Sequence, residues 1–229
     1  MITAITCTGH RPELFALCRK WVERQTVKPD QWLVVTDVDG APDIPDWAQH
    51  VQLSGEVGKV STFDPSNRSL AIALDMVPSD HAAVIIEDDD WYPADYIKSR
   101  IDAVEKGAEI AGNRTEKRYH LPGRLWHIAH KAMPNAGCCV LGPTIPRRFS
   151  SWLQDPRSQR SFWDFFHRDF DLPVKRVSIK GAGYGLPGRA GGTHKIGEHH
   201  KKWVDDLGDF EMLRCWLGQD ADDYIKLLT

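Results

Sequence analysis

Cysteine is scarce, with five among 229 residues, and no two are spaced C-x-x-C. An odd number without that spacing suggests neither a disulfide framework nor a zinc-finger geometry. It points instead to a reducing compartment. No apolar stretch approaches the ~18 residues of a membrane span. The opening MITAITCTGHRP lacks a basic n-region, so no signal peptide is expected. These absences together lead us to expect a soluble, cytoplasmic protein (host-cytoplasmic if its source is viral). No internal repeat is visible, and no linker divides the chain into two folding units. What is present is globular in kind: 41% hydrophobic and 27% charged residues lie outside the disordered range. A chain of this length buries roughly 70% of its unfolded surface without a staple. Cys138 and Cys139 adjoin in an apolar run and read as buried thiols.

The net charge of −3 hides a segregation. Residues 1–112 sum to −9, residues 113–202 to +11 and residues 203–229 to −5, and the middle block holds seven of the ten His. A basic middle in an acidic chain suggests a surface facing phosphates, a nucleotide or nucleic acid.

Hydrophobic periodicity gives the architecture. Residues 2–8 (ITAITCT) form a β-branched, buried strand. Pro12 suits the first position of a helix that buries Leu14, Leu17, Cys18, Trp21 and Val22. Further strands are expected at 32–36, 51–53 and 82–86, with helices at 67–77 and from Pro93 to Gly107. Alternation of this kind predicts an α/β fold with a mostly parallel sheet flanked by helices. Beyond residue 112 the regularity fades. Residues 113–135 read as a polar, basic, interrupted stretch and 136–142 as a strand. An aromatic-rich helix is expected at 158–170, a strand at 172–179, a mobile Gly-rich loop at 180–193 and acidic helices from Asp205 onward.

The chemistry concentrates at strand ends. Glu87-Asp88-Asp89-Asp90 follows a fully apolar strand, and ligands of open α/β sheets sit beyond the carboxyl ends of their strands. Four adjacent carboxylates repel unless a cation neutralises them, and their hard oxygens suit Mg²⁺ or Mn²⁺. Asp37 and Asp39 close a second strand, and Thr8-Gly9-His10-Arg11 closes the first. GEVGKVST at 55–62 echoes a phosphate loop but has Val60 where Ser or Thr is required. The segment KRYHLPGRLWHIAHK (117–131) interleaves cations with Tyr119, Trp126 and three His, a pattern suited to stacking a sugar or a nucleic-acid strand.

The succession CTGHRPELFALCRKWVERQT, LVVTDVDG, NRSLAIALD and VIIEDDDWYPADYI resembles the family 2-like glycosyltransferases of the GT-A fold. This resemblance covers residues 2–110. It implies a sugar moved from a nucleotide diphosphate donor, most simply a uridine diphosphate sugar, onto a hydroxyl, with Mn²⁺ or Mg²⁺ at the acidic run. By the same resemblance Thr8, Gly9, His10, Arg11 and Asp37 hold the nucleobase end, while Asn67, Arg68 and Asp88 lie at the donor. Asp89 and Asp90 take the metal, with His194 completing its shell and His199 and His200 close behind. Arg189 and Lys195 neutralise the diphosphate. The acidic run fits in two registers, one giving Glu87 and Asp89, the other Asp88 and Asp90. Asp164 in RSFWDFFHR is the expected general base of an inverting transfer, with Asp169 and Asp171 in reserve. Residues 1–112 form the nucleotide-sugar half and residues 113–229 the acceptor and catalytic half of one continuous domain.

Arg118, Tyr119, Arg124 and Trp126 are the acceptor candidates. The acceptor is either a glycan or small hydroxyl compound, or DNA with a hydroxylated base, as in the phage-type enzymes this stretch resembles in outline. Two other classes compete. VVTDVDG resembles the haloacid-dehalogenase nucleophile motif, which would make Asp37 a phosphoryl acceptor and Asp39 an acid/base. A non-catalytic nucleotide- or glycan-binding module would need neither acid nor base.

Overall fold

A computed structural model of the chain describes residues 1–9, 11–36, 42–53, 65–130, 139–146, 176–185 and 202–228. Among the described residues nine strands form one sheet. They are β1 (Ile2–Thr8), β2 (Gln31–Thr36), β3 (Gln49–Gln52), β4 (Ala82–Ile85), β5 (Ile110–His120), β6 (Leu125–His130), β7 (Cys139–Leu141), β8 (Arg176–Gly185) and β9 (Val204–Asp205). Their order is β3-β2-β1-β4-β7-β5-β6-β9, with β8 on the remaining edge of β5. The first four strands run parallel, as the alternation of strands and helices predicts. At β7 the sheet turns antiparallel, and β7, β5, β6 and β9 follow in that sense. The sheet is therefore mixed.

The helices are α1 (Pro12–Glu23), α2 (Pro65–Asp75), α3 (Tyr96–Glu105), α4 (Glu211–Leu217) and α5 (Ala221–Ile225). Strand alternation sorts the core into two layers. Ala4, Val34, Val84, Ile86, Ala111 and Tyr119 face α1, α3, α4 and α5. Ile5, Leu33, Val35, Ala83, Ile85 and Ile110 face α2. In α1, Pro12 holds the first turn, and Leu14, Phe15, Cys18, Trp21 and Val22 are buried. The last strand residues set the level of the site, because Thr8 pairs with Thr36 and Ile5 with Ile85.

Three expectations need correction. Residues 113–135 are not irregular as far as they are described, since β5 and β6 form a hairpin paired from Thr115–His130 to His120–Leu125. Polar residues on both faces hid its period of two, and Pro122-Gly123 marks only its turn. Second, the Gly-rich stretch is not all loop. Residues 180–185 continue β8, which pairs in parallel with β5 up to Arg118–Gly185. Third, α3 starts at Tyr96 rather than Pro93. The Pro93 carbonyl accepts hydrogen bonds from the Tyr96 N–H (3.0 Å) and from Gln25 Nε2 (2.8 Å). The acidic C-terminal helices are present as α4 and α5. The expected helix at 158–170 lies outside the described residues.

Candidate active site

The parallel strands end along one edge, and β4 carries the acidic run there. The Ile86 N–H still bonds to the Ile5 carbonyl at 2.9 Å, so the ladder continues to the threshold of the run. Ile85 points to the α2 side and Ile86 to the α1 side. Continued alternation sends Glu87 to the α2 side and Asp88 to the α1 side. Asp88 is buried and accepts hydrogen bonds from Thr8 Oγ1 and Arg11 Nη2, each at 2.6 Å. Arg11 Nη1 reaches Asp89 at 3.3 Å. The Thr8–Arg11 turn is thus tied to the acidic run by charge-assisted bonds. Asp88, expected at the donor, lies beneath the edge and orients Arg11.

The other three acids converge. One carboxylate oxygen each of Glu87, Asp89 and Asp90 lies within 4.8 Å of the others. The register that places Glu87 and Asp89 together is the one the geometry favours, with Asp90 as a third member. Burial, followed by the charge of Asp89, pushes the Glu87 carboxyl up to about 7, while a hydrogen bond with Asp90 pulls the other way. The Cys18 thiol, on the buried face of α1, is pushed up by its burial and then by the charge of Asp88. In both groups burial is the larger cause, and the neighbouring carboxylates of the edge add to it. Three hard oxygen donors this close suit a divalent cation such as Mg²⁺ or Mn²⁺.

The run is braced from behind. The Glu87 N–H donates to Tyr92 Oη at 2.7 Å. Tyr224 of α5 donates to the Asp90 carbonyl at 3.1 Å and accepts from Trp21 Nε1 at 2.8 Å. Trp91 Nε1 donates to Asp220 at 2.9 Å, and Arg24 pairs with the same carboxylate. Trp91 also packs edge-on against Tyr184 of β8, with ring centroids 4.7 Å apart. The C-terminal segment therefore holds the motif in place, a function its acidic composition alone did not reveal.

The acceptor candidates divide between the two faces. Arg118 lies on the α2 side and donates to the buried Glu116 at 2.8 Å. Tyr119 does not offer a stacking face, which corrects the expectation. It is fully buried, donates to Asp206 at 2.8 Å and packs near Phe210 and Trp216. Trp126 meets Trp216 edge-on on the same side. Arg124 sits in the hairpin turn at φ 48° with its guanidinium 4.8 Å over Phe210. It borders an apolar groove of about 400 Å³ that also includes Leu121, Pro122 and Ile225. Asn67 and Arg68 lie in the first turns of α2. His10, Asp37, Asp39, Asp164, Asp169, Asp171, Arg189, His194, Lys195, His199 and His200 lie outside the described residues. Glu116 and Trp203 were missed by sequence reading, and His127 entered it only as one of the three His of residues 117–131, because only the strand register shows which face they share.

No family model matches the chain, and no curated protein sequence matches it. Solved structures do resemble it in shape. Rv0371c from Mycobacterium tuberculosis H37Rv aligns at 14% identity over 79% of this chain and 88% of its own, with a TM-score of 0.50. S. aureus TarS 1-349 aligns at 11% identity with a TM-score of 0.52, over 81% of this chain and 60% of its own. This chain thus spans less than two thirds of that one. A 4-diphosphocytidyl-2C-methyl-D-erythritol synthase from Anaerococcus prevotii aligns over 95% of this chain at 12% identity, but its TM-score of 0.49 is too low to carry weight. At these identities the likeness concerns fold alone. The fold is α/β of the GT-A type. Among the described residues no helix is long and apolar enough to cross a membrane.

Proposed function

We propose that the protein is a metal-dependent glycosyltransferase that moves a sugar from a nucleotide diphosphate donor to a hydroxyl acceptor, with inversion at the anomeric carbon. The observation that carries this reading is the convergence of Glu87, Asp89 and Asp90 at the carboxyl edge of a GT-A-type sheet. These three carboxylates would hold Mn²⁺ or Mg²⁺, which supplies positive charge to the diphosphate leaving group. Arg11, held by Asp88, places a cation at the same edge. Thr8, Gly9, His10 and Asp37 would hold the nucleobase end of the donor. Asn67 and Arg68, in α2, would bind the donor.

The transfer itself needs a base. As the bond from the anomeric carbon to the diphosphate oxygen breaks, a bond to the acceptor oxygen forms, and the acceptor proton passes to a carboxylate. Asp164 is the residue assigned to that step. Arg189, Lys195 and His194 complete the charge balance around the leaving group.

Thermal denaturation with nucleoside diphosphates, with and without Mn²⁺, tests the proposal. A ligand at 100 times its Kd stabilises by about 2.7 kcal/mol through mass action. A rise in Tm with uridine diphosphate that depends on Mn²⁺ is expected. No shift with any nucleoside diphosphate, together with hydrolysis of an aryl phosphate, would establish the phosphatase class instead.

A further inference from the structure

The hairpin β5–β6 extends past the acidic edge, and its register lays out the α2 side in rows. Glu116 lies between Gly183 of β8 and Ala129 of β6. Arg118 lies between Gly185 and His127. Small residues thus flank Glu116 on both neighbouring strands. Val204 pairs with Trp126, so Trp203, one residue earlier, falls on the face of Arg118 and His127. The rings of Trp203 and His127 stack there, with centroids 5.7 Å apart and planes at 22°. A bridge joins Trp91, the residue after the acidic run, to Tyr184, and Tyr184 pairs with Lys117 between Glu116 and Arg118, so this part of the hairpin lies beside the acidic cluster.

We infer that the Trp203–His127 stack and the Glu116–Arg118 pair form the acceptor subsite, and that the acceptor unit seated there is an uncharged sugar ring. The inference rests on the glycosyltransferase reading. A π-face carries partial negative charge and attracts the positive C–H edges of a pyranose. The adjacent carboxylate and guanidinium offer an acceptor and several donors, the complement of neighbouring sugar hydroxyls. Local charge argues against a polyanion. On this face Arg118 is paired with Glu116, and Asp205 of β9 stands two residues after Trp203. Arg124 is turned toward Phe210 on the opposite side. A phosphate backbone requires several cations along its track, and the described part of this face presents carboxylates among them. The row from Gly185 to Trp203 crosses three strand spacings, roughly 14 Å, enough for one or two sugar rings.

The test measures three things on the wild type, Trp203→Ala, Trp203→Phe and His127→Ala. Saturation-transfer NMR reads binding of a panel of neutral mono- and disaccharides. Fluorescence anisotropy reads binding of a single-stranded 12-nucleotide DNA at ~20 mM salt, where electrostatic attraction is weakly screened. Thermal denaturation with uridine diphosphate and Mn²⁺ reads the donor site. We expect at least one neutral sugar to bind. Its affinity should fall at least tenfold in Trp203→Ala and His127→Ala and stay within about threefold in Trp203→Phe, with the donor shift retained in all. No sugar binding to the wild type, or equal affinity in Trp203→Ala, overturns the subsite. DNA binding that Trp203→Ala abolishes overturns the neutral acceptor and assigns the face to nucleic acid. Loss of the donor shift in the wild type would instead refute the glycosyltransferase reading itself.

Discussion

Glu87→Gln isolates the strain that the acidic cluster places on the metal-free protein. In the fold the Glu87 carboxyl retains its proton up to about pH 7, whereas in the unfolded chain it ionises near 4.5. The folded state therefore binds the extra proton across that interval. Stability from this group is complete below about pH 4.5 and is lost as the pH rises through about 7. At roughly 1.4 kcal/mol for each tenfold change in proton affinity, the loss is about 3 kcal/mol at pH 8. Glutamine keeps the shape and cannot ionise, so the variant escapes the penalty. For a domain of this size 1 kcal/mol moves Tm by roughly 2–4 °C. In chelator at pH 8 the variant should melt roughly 6–12 °C above the wild type, and at pH 4.5 the two should coincide.

Added Mn²⁺ should reverse the order. The wild type gains a ligand at Glu87 and the variant does not, so the wild type is raised more, increasingly so above pH 7 where its carboxyl is ionised. Melting curves at pH 4.5, 6, 7 and 8, in chelator and in Mn²⁺, check both statements. If the variant melts at or below the wild type at pH 8 in chelator, the carboxylates are not in mutual repulsion and the reasoning fails. An equal Mn²⁺ response in both proteins would remove Glu87 from the metal set.

Asp89→Ala and Asp90→Ala should each abolish Mn²⁺-dependent turnover while leaving the circular dichroism spectrum unchanged, and full activity of either in excess chelator would refute the assignment. Arg11→Ala strips the buried Asp88 of this cation, while the Thr8 hydroxyl stays bonded to it. Removing one member of a buried pair costs about 3–5 kcal/mol; Arg11 is 28% exposed, so about 2–3 kcal/mol is expected in urea denaturation. Tyr119→Phe removes the hydrogen bond to Asp206 and should cost about 1–2 kcal/mol of stability with no change in KM for the acceptor, a selective rise in that KM being the result that would return Tyr119 to the acceptor site.

The first half of the fold was legible because one signal dominated it. β1, β2 and β4 are buried on both faces and appear as apolar runs, and α1 announces itself with Pro12 and a regular buried stripe. Parallel strands between helices leave few alternatives. The hairpin β5–β6 was illegible for the opposite reason. It has one face against the C-terminal helices and the other toward the site, and both bear polar or charged residues. The Lys117 ammonium lies 5.2 Å from the ring centroids of both Tyr184 and Trp216, so a residue that reads as exposed sits on the packed face. Hydrophobic alternation cannot reveal a strand whose buried side includes lysine and whose site side includes a buried glutamate.

The acidic run shows how far a motif carries without its register. Glu87-Asp88-Asp89-Asp90 marks the edge where chemistry gathers, and that much is a property of the string. Which acids act together depends on the phase of β4. Because Ile85 and Ile86 are committed to opposite layers, Glu87 and Asp88 must part, and the turn that follows brings Asp89 and Asp90 back toward Glu87. The same phase argument separates Arg118 from Tyr119 and joins Arg118 to His127 and Trp203, which stand 9 and 85 residues further along the chain. Neighbours in sequence were grouped as one acceptor patch, whereas a strand places neighbours on opposite sides. A site built across strands is therefore read correctly only after the pairing is known, and the residues most easily missed are those, like Trp203, that enter it just before a two-residue strand at the sheet's edge.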